Sequence, residues 1–145
     1  MDSSKLSLEH KQAWISFFLA HGKLTRLIDN EMRKAGCVSM EVYDVLLTLE
    51  LAPEGHLIMS ELADRVLLTR SGMTRMTDRL EKLGLVKRLH CPSDRRAFHI
   101  AITEEGLRER ERAWVIYEQG IMKHFASHLS IEDARSIDGC LQRFV

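Results

Sequence analysis

Two stretches of this chain carry cations and short hydroxyls at spacings that suit a polyanion. Residues 70–82, RSGMTRMTDRLEK, offer Arg70, Ser71, Thr74, Arg75, Arg79 and Lys82. Residues 93–96 offer Ser93, Asp94, Arg95 and Arg96 at a turn between two alternating segments. A guanidinium is a planar fork of donors that matches a phosphate or the major-groove edge of guanine, and a serine or threonine hydroxyl meets phosphates or base edges. From residue 70 to residue 96 stand eight cations against three anions, Asp78, Glu81 and Asp94, a local +5 in a chain of zero formal charge. A basic middle between acidic flanks is the footprint of a polyanion site, while a solvated face of mixed charge is the plainer reading. Architecture decides between them.

Other chemistries find less support. Cys37, Cys91 and Cys140 are far apart and in no paired spacing. That argues against a disulfide framework and fits a reducing compartment. A redox switch needs an accessible thiolate, and buried or idle thiols are the alternative. His124 and His128 stand four apart on one helical face, a candidate metal pair that Cys140 or His21 could complete; the same spacing also fits residues lining a dimer interface. No Gly-rich phosphate loop, nucleophile elbow, His-Glu-x-x-His or Cys-x-x-Cys occurs, so neither an enzyme nor a cofactor is expected. His90 and Cys91 are neighbours, but adjacency on a strand points them to opposite faces. The longest uncharged apolar run, AWISFFLA at residues 13–20, is too short to span a bilayer and lacks a signal-peptide layout, so a cytoplasmic protein is expected.

The elements that must hold the cations are legible. A chain of 145 residues, 45% apolar and 29% charged, suits one soluble globular domain. Ser7, Ser39, Thr103 and Ser130 each precede an acid by one or two positions, the pattern of a capped helix start, and Ser60-Glu61 repeats it. The spacing predicts a helix over 7–35, with Trp14, Phe17, Phe18, Leu24, Leu27, Ile28 and Met32 on a stripe and Gly36 as its stop. A second covers 40–51, with Val42, Val45, Leu46 and Leu49 inward and Pro53 beyond it. A short helix over 60–66, a turn at Leu67 and Leu68, and a helix over 70–83 capped by Thr69 make a helix-turn-helix. Gly84 ends the second helix, and Leu85 folds back on its last turn.

On a wheel, Met73, Met76, Thr77, Leu80 and Leu83 form the core face of that helix. Ser71, Arg75, Asp78 and Lys82 face out, flanked by Thr74 and Arg79, with Asp78 expected to pair with Arg75 or Lys82. After Gly84 the period becomes two. Residues 85–103 read as a β-hairpin turning at Pro92, Ser93 and Asp94, with Phe98, Ile100 and Ile102 on one face. A hairpin after a recognition helix is a wing, whose guanidinium can enter a narrow minor groove, with Asp94 holding one arginine in place. Helices follow over 103–128 and from 131, the last with Ala134, Ile137, Leu141 and Phe144 on one side. The terminal helices carry more apolar surface than this unit needs, so they are expected to pack between two chains, an intramolecular core being the alternative.

The segments ELADRV, TRSGMTRMTDRLEKLGLVKR and CPSDRRAFHIAITEEG, in this order, resemble the MarR family of winged-helix transcription regulators. The wing matches the family's Asp-x-Arg, alternating strand and Leu-Thr-x-x-Gly through Asp94, Arg96, Thr103 and Gly106, with Ile102 in place of the usual leucine. Cys91 stands where relatives carry a charged or polar residue. The resemblance implies a mainly α fold with a small β-hairpin wing: an N-terminal dimerisation helix (1–38), a winged helix-turn-helix region (39–103) and C-terminal dimerisation helices (104–145). It implies a cytoplasmic homodimer that binds double-stranded DNA at pseudo-palindromic operators, usually as a repressor released by a small anionic aromatic ligand, oxidation or metal. It transfers the minor-groove contact to Arg96, with Arg95 beside it. The alternative is a winged helix used as a protein-interaction module.

Overall fold

The structure, a computed structural model, describes residues 5–66, 68, 70–91 and 93–145, with Arg70 and Arg95 described in backbone only. Leu67, Thr69 and Pro92, assigned above to a turn, a cap and the hairpin bend, lie outside the described residues.

Two helices open the chain, α1 (Leu8–Lys34) and α2 (Met40–Leu51). Both start at the expected caps: Ser7 Oγ accepts the His10 N–H and Ser39 Oγ accepts the Val42 N–H, each satisfying a donor the helix leaves open. Gly36 ends α1 at φ 73°, and the Gly36 and Cys37 N–H groups return to the Arg33 and Met32 carbonyls. Only a residue without Cβ takes that left-handed position cheaply.

After a 3-10 turn at Pro53–Gly55 comes a strand the sequence reading did not contain, β1 (His56–Ile58). Three residues are too few to display a period of two. It runs straight into α3 (Met59–Arg65), so the helix begins one residue ahead of Ser60, with Ile58 at the cap position and no side-chain cap bond. Then follow α4 (Arg70–Lys82), β2 (Val86–Cys91) and β3 (Asp94–Ile102). The hairpin is thus part of a three-stranded antiparallel sheet, order β1-β3-β2, with Leu57 and Arg88 both opposite Ile100. Helices α5 (Glu104–His124) and α6 (Ile131–Leu141) complete the chain. The expected helix over 103–128 stops at His124; Ala126–His128 is a 3-10 turn.

The core sits where α2, α3, α4 and the sheet meet. Val42, Val45, Leu46 and Leu49 of α2 pack with Leu62, Met73, Leu80, Val86 and Ile100. Each such side chain contributes about 1.5–3 kcal/mol by leaving water. Leu83 departs from the wheel: it lies past the helix end and is 57% exposed, and buried Leu85 takes its place. A smaller cluster joins α1 to α5 through Ile28, Met32, Tyr43 and Ala113. Gly106, Ala113 and Gly120, seven residues apart, are the buried positions of α5. Small side chains there let α5 lie close to its neighbours; a Cβ on Gly120 would stand 3.0 Å from Ile28.

Much of the apolar stripe on α1 stays open. Residues 8–23 are all exposed, as are residues 131–145, which contain α6. Among the described residues no helix is long and apolar enough to cross a membrane.

Candidate nucleic-acid interface

Helix α4 is fixed from below and at its C-terminal end. Met73, Met76, Thr77 and Leu80 are buried, the methionines and Leu80 in one cluster with Leu62 and Ala63 of α3. At the end, Gly84 (φ 73°) and Leu85 return their N–H groups to the Glu81 and Leu80 carbonyls. Thr103 Oγ1 donates to the Gly84 carbonyl at 2.6 Å and accepts the Gly106 N–H at 3.0 Å. One hydroxyl thereby ties the end of α4, the end of β3 and the start of α5.

With that face buried, Ser71, Thr74, Arg75, Asp78, Arg79 and Lys82 are exposed, as the wheel requires. They do not all look the same way. Thr74 lines an open groove of about 380 Å³ with Ile58, Met59, Arg96, Ala97 and Phe98, and its hydroxyl meets Met59 Sδ at 3.6 Å. Arg79, on the other flank, lines a cavity of about 510 Å³ with Arg33, Cys37, Leu83, Glu105 and Glu109. The expected site therefore divides: Thr74 of the helix and Arg96 of the hairpin share one concavity, and Arg79 faces the junction with α1 and α5.

Asp78 does not pair within its helix. Arg88 of β2 crosses to it at 2.5 Å and to Glu81 at 2.9 Å. The reason is reach: a long guanidinium opposite the helix has two donors to divide between two carboxylates. Both anions of α4 are thus neutralised by one cation of the hairpin. The sequence reading included Arg88 only in the count of cations between residues 70 and 96, because nothing local shows the crossing. These bonds hold the Arg88 guanidinium above its usual pKa, the Asp78 bond foremost.

At the hairpin bend, Ser93, Asp94 and Arg96 are exposed. Asp94 Oδ1 accepts the Arg96 backbone N–H at 2.9 Å. This is an Asx turn that shapes the bend. The side chains of Arg70 and Arg95 lie outside what the structure describes.

The histidine pair is not built as a pair. His124 closes α5 and its Nε2 lies 2.8 Å from Glu31 of α1, which also takes Lys123 at 2.6 Å; His128 sits beyond the helix end. Among the described residues no group of three His, Cys, Asp or Glu side chains is placed to hold a metal. Two histidines the sequence reading passed over do meet. His56 and His99 are 43 positions apart, and only the pairing of β1 with β3 brings them together.

A short helix, a second helix at its side and an antiparallel sheet whose β2–β3 hairpin follows directly define a winged helix-turn-helix protein. The comparisons agree. The sequence pattern of the MarR family matches residues 38–98. The HTH-type transcriptional regulator PrsX of Escherichia coli is 43% identical over 84 residues, 57% of this chain and 51% of that one. The chain thus spans about half the length of that curated relative. The crystal structure of AbsC, a MarR family transcriptional regulator from Streptomyces coelicolor, superposes with a TM-score of 0.84 at 26% identity over 97% of this chain and 95% of that one. A second MarR family regulator from the same organism, solved in complex with DNA, gives 0.84 at 28% identity over 94% and 86%. The chain is thus similar to the MarR family in sequence over residues 38–98 and shares the fold of two of its members over nearly its whole length.

Proposed function

We propose that the chain is a homodimeric transcription regulator that binds double-stranded DNA at a pseudo-palindromic operator, as a repressor. The observation that carries this reading is the shared concavity of Thr74 and Arg96. It sets helix and wing side by side on one face, as reading adjacent major and minor grooves requires. In this reading Ser71, Thr74, Arg75 and Lys82 of α4 enter the major groove, with Arg70 at its N-terminus. Arg96 enters the minor groove, and Ser93 and Arg95 meet the backbone. A twofold axis sets two such units roughly 34–36 Å apart, one turn of B-form duplex. The relative of known structure solved with DNA supports the reading.

The helix-junction cavity is where a small molecule would change the spacing of the two units. Its wall carries Arg33 and Arg79, but also Glu41, Glu105 and Glu109. That balance gives an anionic aromatic ligand no electrostatic preference there. Control by such a ligand rests on the family resemblance alone.

Salt-dependent binding to duplex DNA tests the reading. Affinity falls steeply with salt as counterions are released. Arg96→Ala weakens binding to all sequences and shallows that slope, and Arg75→Ala costs about 1–3 kcal/mol and relaxes base preference if its contact is bidentate. A flat salt response with both variants unchanged would overturn it.

A further inference from the structure

Two histidines outside the proposed DNA contacts face each other across the sheet. The pairing of β1 with β3 sets His56 opposite Ala101 and Ile58 opposite His99, a diagonal that lets two long side chains on one face meet. The imidazoles stand edge to face, centroids 4.8 Å apart, with Nδ1 2.9 Å from Nδ1. Both residues are half-buried, and the His56 side chain is 27% exposed, so dissolved ions can reach the pair. On the far side of the His56 ring, Glu54 Oε2 lies 3.2 Å from Nε2. The Glu54 side chain is 84% exposed, and such a surface contact does little for stability. It does fix a proton. A carboxylate can only accept, so His56 carries its proton on Nε2 and offers its Nδ1 lone pair toward His99.

That is the tautomer a metal ligand needs: one ring nitrogen bare, the other N–H donated to a carboxylate. His99 donates its Nδ1–H to His56 Nδ1; moving that proton to His99 Nε2 bares the second nitrogen with no change in total charge. The spacing selects the ion. Two nitrogens about 2.05 Å from one ion stand about 2.9 Å apart at a right angle and about 3.3 Å apart on a tetrahedron. The observed 2.9 Å is the right-angle edge of a square or octahedral field, which suits nickel(II) or copper(II) better than zinc(II). Each ring must turn by about 45° for its lone pair to leave the N–N line and meet the ion, and the outer torsion of histidine is broad enough for that. Among the described residues no third His, Cys, Asp or Glu completes the set, so water fills the remaining positions.

We propose that His56 and His99 form a site for one nickel(II) or copper(II) ion, each ring binding through Nδ1, with Glu54 as a positioning residue. The ion takes the place of the proton between the rings and clamps β1 to the wing strand β3. The site needs nothing from DNA, so its fate is separate from that of the regulator reading.

Nickel(II) is the probe, since it does not oxidise the three free thiols. Isothermal titration of the full chain finds one ion per chain. His56→Gln and His99→Gln, both folded by circular dichroism, each weaken it about 100-fold by turning a chelate into a single contact. Glu54→Gln, at an exposed position whose loss leaves the fold intact, weakens it about tenfold by loosening the His56 ring. Nickel raises the Tm of the unaltered protein and not that of either histidine variant. Zinc(II) binds no tighter than nickel(II). Affinity unchanged in either histidine variant overturns the site, since the rings then only hydrogen-bond each other. Zinc tenfold tighter than nickel overturns the right-angle geometry. A sulfur-to-nickel charge-transfer band puts a thiolate in the ligand set and overturns the two-imidazole site. Equal affinity in Glu54→Gln and the unaltered protein overturns the positioning role.

Discussion

Arg88 Nη2 lies 2.5 Å from Asp78 Oδ1, so the wing's first strand is strapped to the outer face of the recognition helix. The same guanidinium holds Glu81. The Arg88 side chain is 24% exposed and the two carboxylates are roughly half exposed, which places the network near the surface regime. Arg88→Ala therefore costs only about 1 kcal/mol in urea unfolding. Its larger effect is on DNA. It leaves Asp78 and Glu81 facing phosphates without a counter-charge, and affinity drops about tenfold. Adding Asp78→Asn and Glu81→Gln recovers most of that loss. If the triple variant binds as weakly as Arg88→Ala alone, the strap does not act through charge.

Gly106 shows a packing constraint on α5. It lies in the first helical turn, where alanine is intrinsically better by about 1 kcal/mol. A Cβ there would stand 2.2 Å from the Leu85 carbonyl oxygen and 2.8 Å from Ile102 Cγ1. The first contact is backbone, held by its bond from the Thr103 N–H, and cannot swing away. Overpacking wins, and Gly106→Ala lowers stability by about 3 kcal/mol, read as a fall in the denaturant midpoint. A higher midpoint would show that the α4–β3–α5 junction gives more easily than its bonds imply.

What the sequence disclosed, and what it hid, follows from the range of each interaction. Caps at Ser7, Ser39, Thr103 and Ser130, the glycine stops at Gly36 and Gly84 and the inward faces of α2 and α4 are local, and a sequence displays them directly. Strand β1 was hidden because it is three residues long and exists through its pairing with β3, 45 positions away in His56↔Ala101. The division of the candidate site has the same origin. Thr74 and Arg96 meet in one groove, and Arg88 reaches Asp78, through contacts between α4 and the sheet that no spacing encodes. The His56–His99 contact was hidden for the same reason, since His56 sits on the unread strand and meets His99 only across the sheet.

The Glu31 carboxyl is held below its ordinary range by Lys123 first and His124 second, both at the end of α5. The linkage has a definite sign. A depressed carboxyl pKa stabilises the fold above the unfolded value of 4.5, and the contribution is lost as pH falls through the lower folded value. Glu31→Gln lowers the Tm at pH 7 and leaves it nearly unchanged once both proteins are below that window. Calorimetric Tm values at neutral and strongly acidic pH check this. A gap that widens on acidification would mean that another group dominates the α1–α5 contact.

The apolar surface of the terminal helices leads to the last expectation. Trp14 and Phe18, stacked at 6.3 Å, are 63% and 64% exposed, and Phe144 is 82% exposed. Helix α6 is well capped: Ser130 Oγ accepts the Asp133 N–H and the Ser130 N–H donates to the Asp133 carboxylate. Yet none of its residues is buried. A helix of 11 residues is marginal on capping alone, since most helical stability in proteins comes from packing of an apolar face. In the proposed homodimer, a second copy offering the same α1 and α6 surfaces would provide that cover through a self-complementary twofold contact. Ile137→Glu, on α6, therefore shifts the protein toward monomer in sedimentation velocity and lowers its far-ultraviolet helix signal. It also weakens operator binding by a factor of about 100 or more, because two half-sites no longer bind as one ligand. Monomer at micromolar concentration in the unaltered protein, or a dimer untouched by Ile137→Glu and Phe18→Glu together, would place the twofold contact elsewhere.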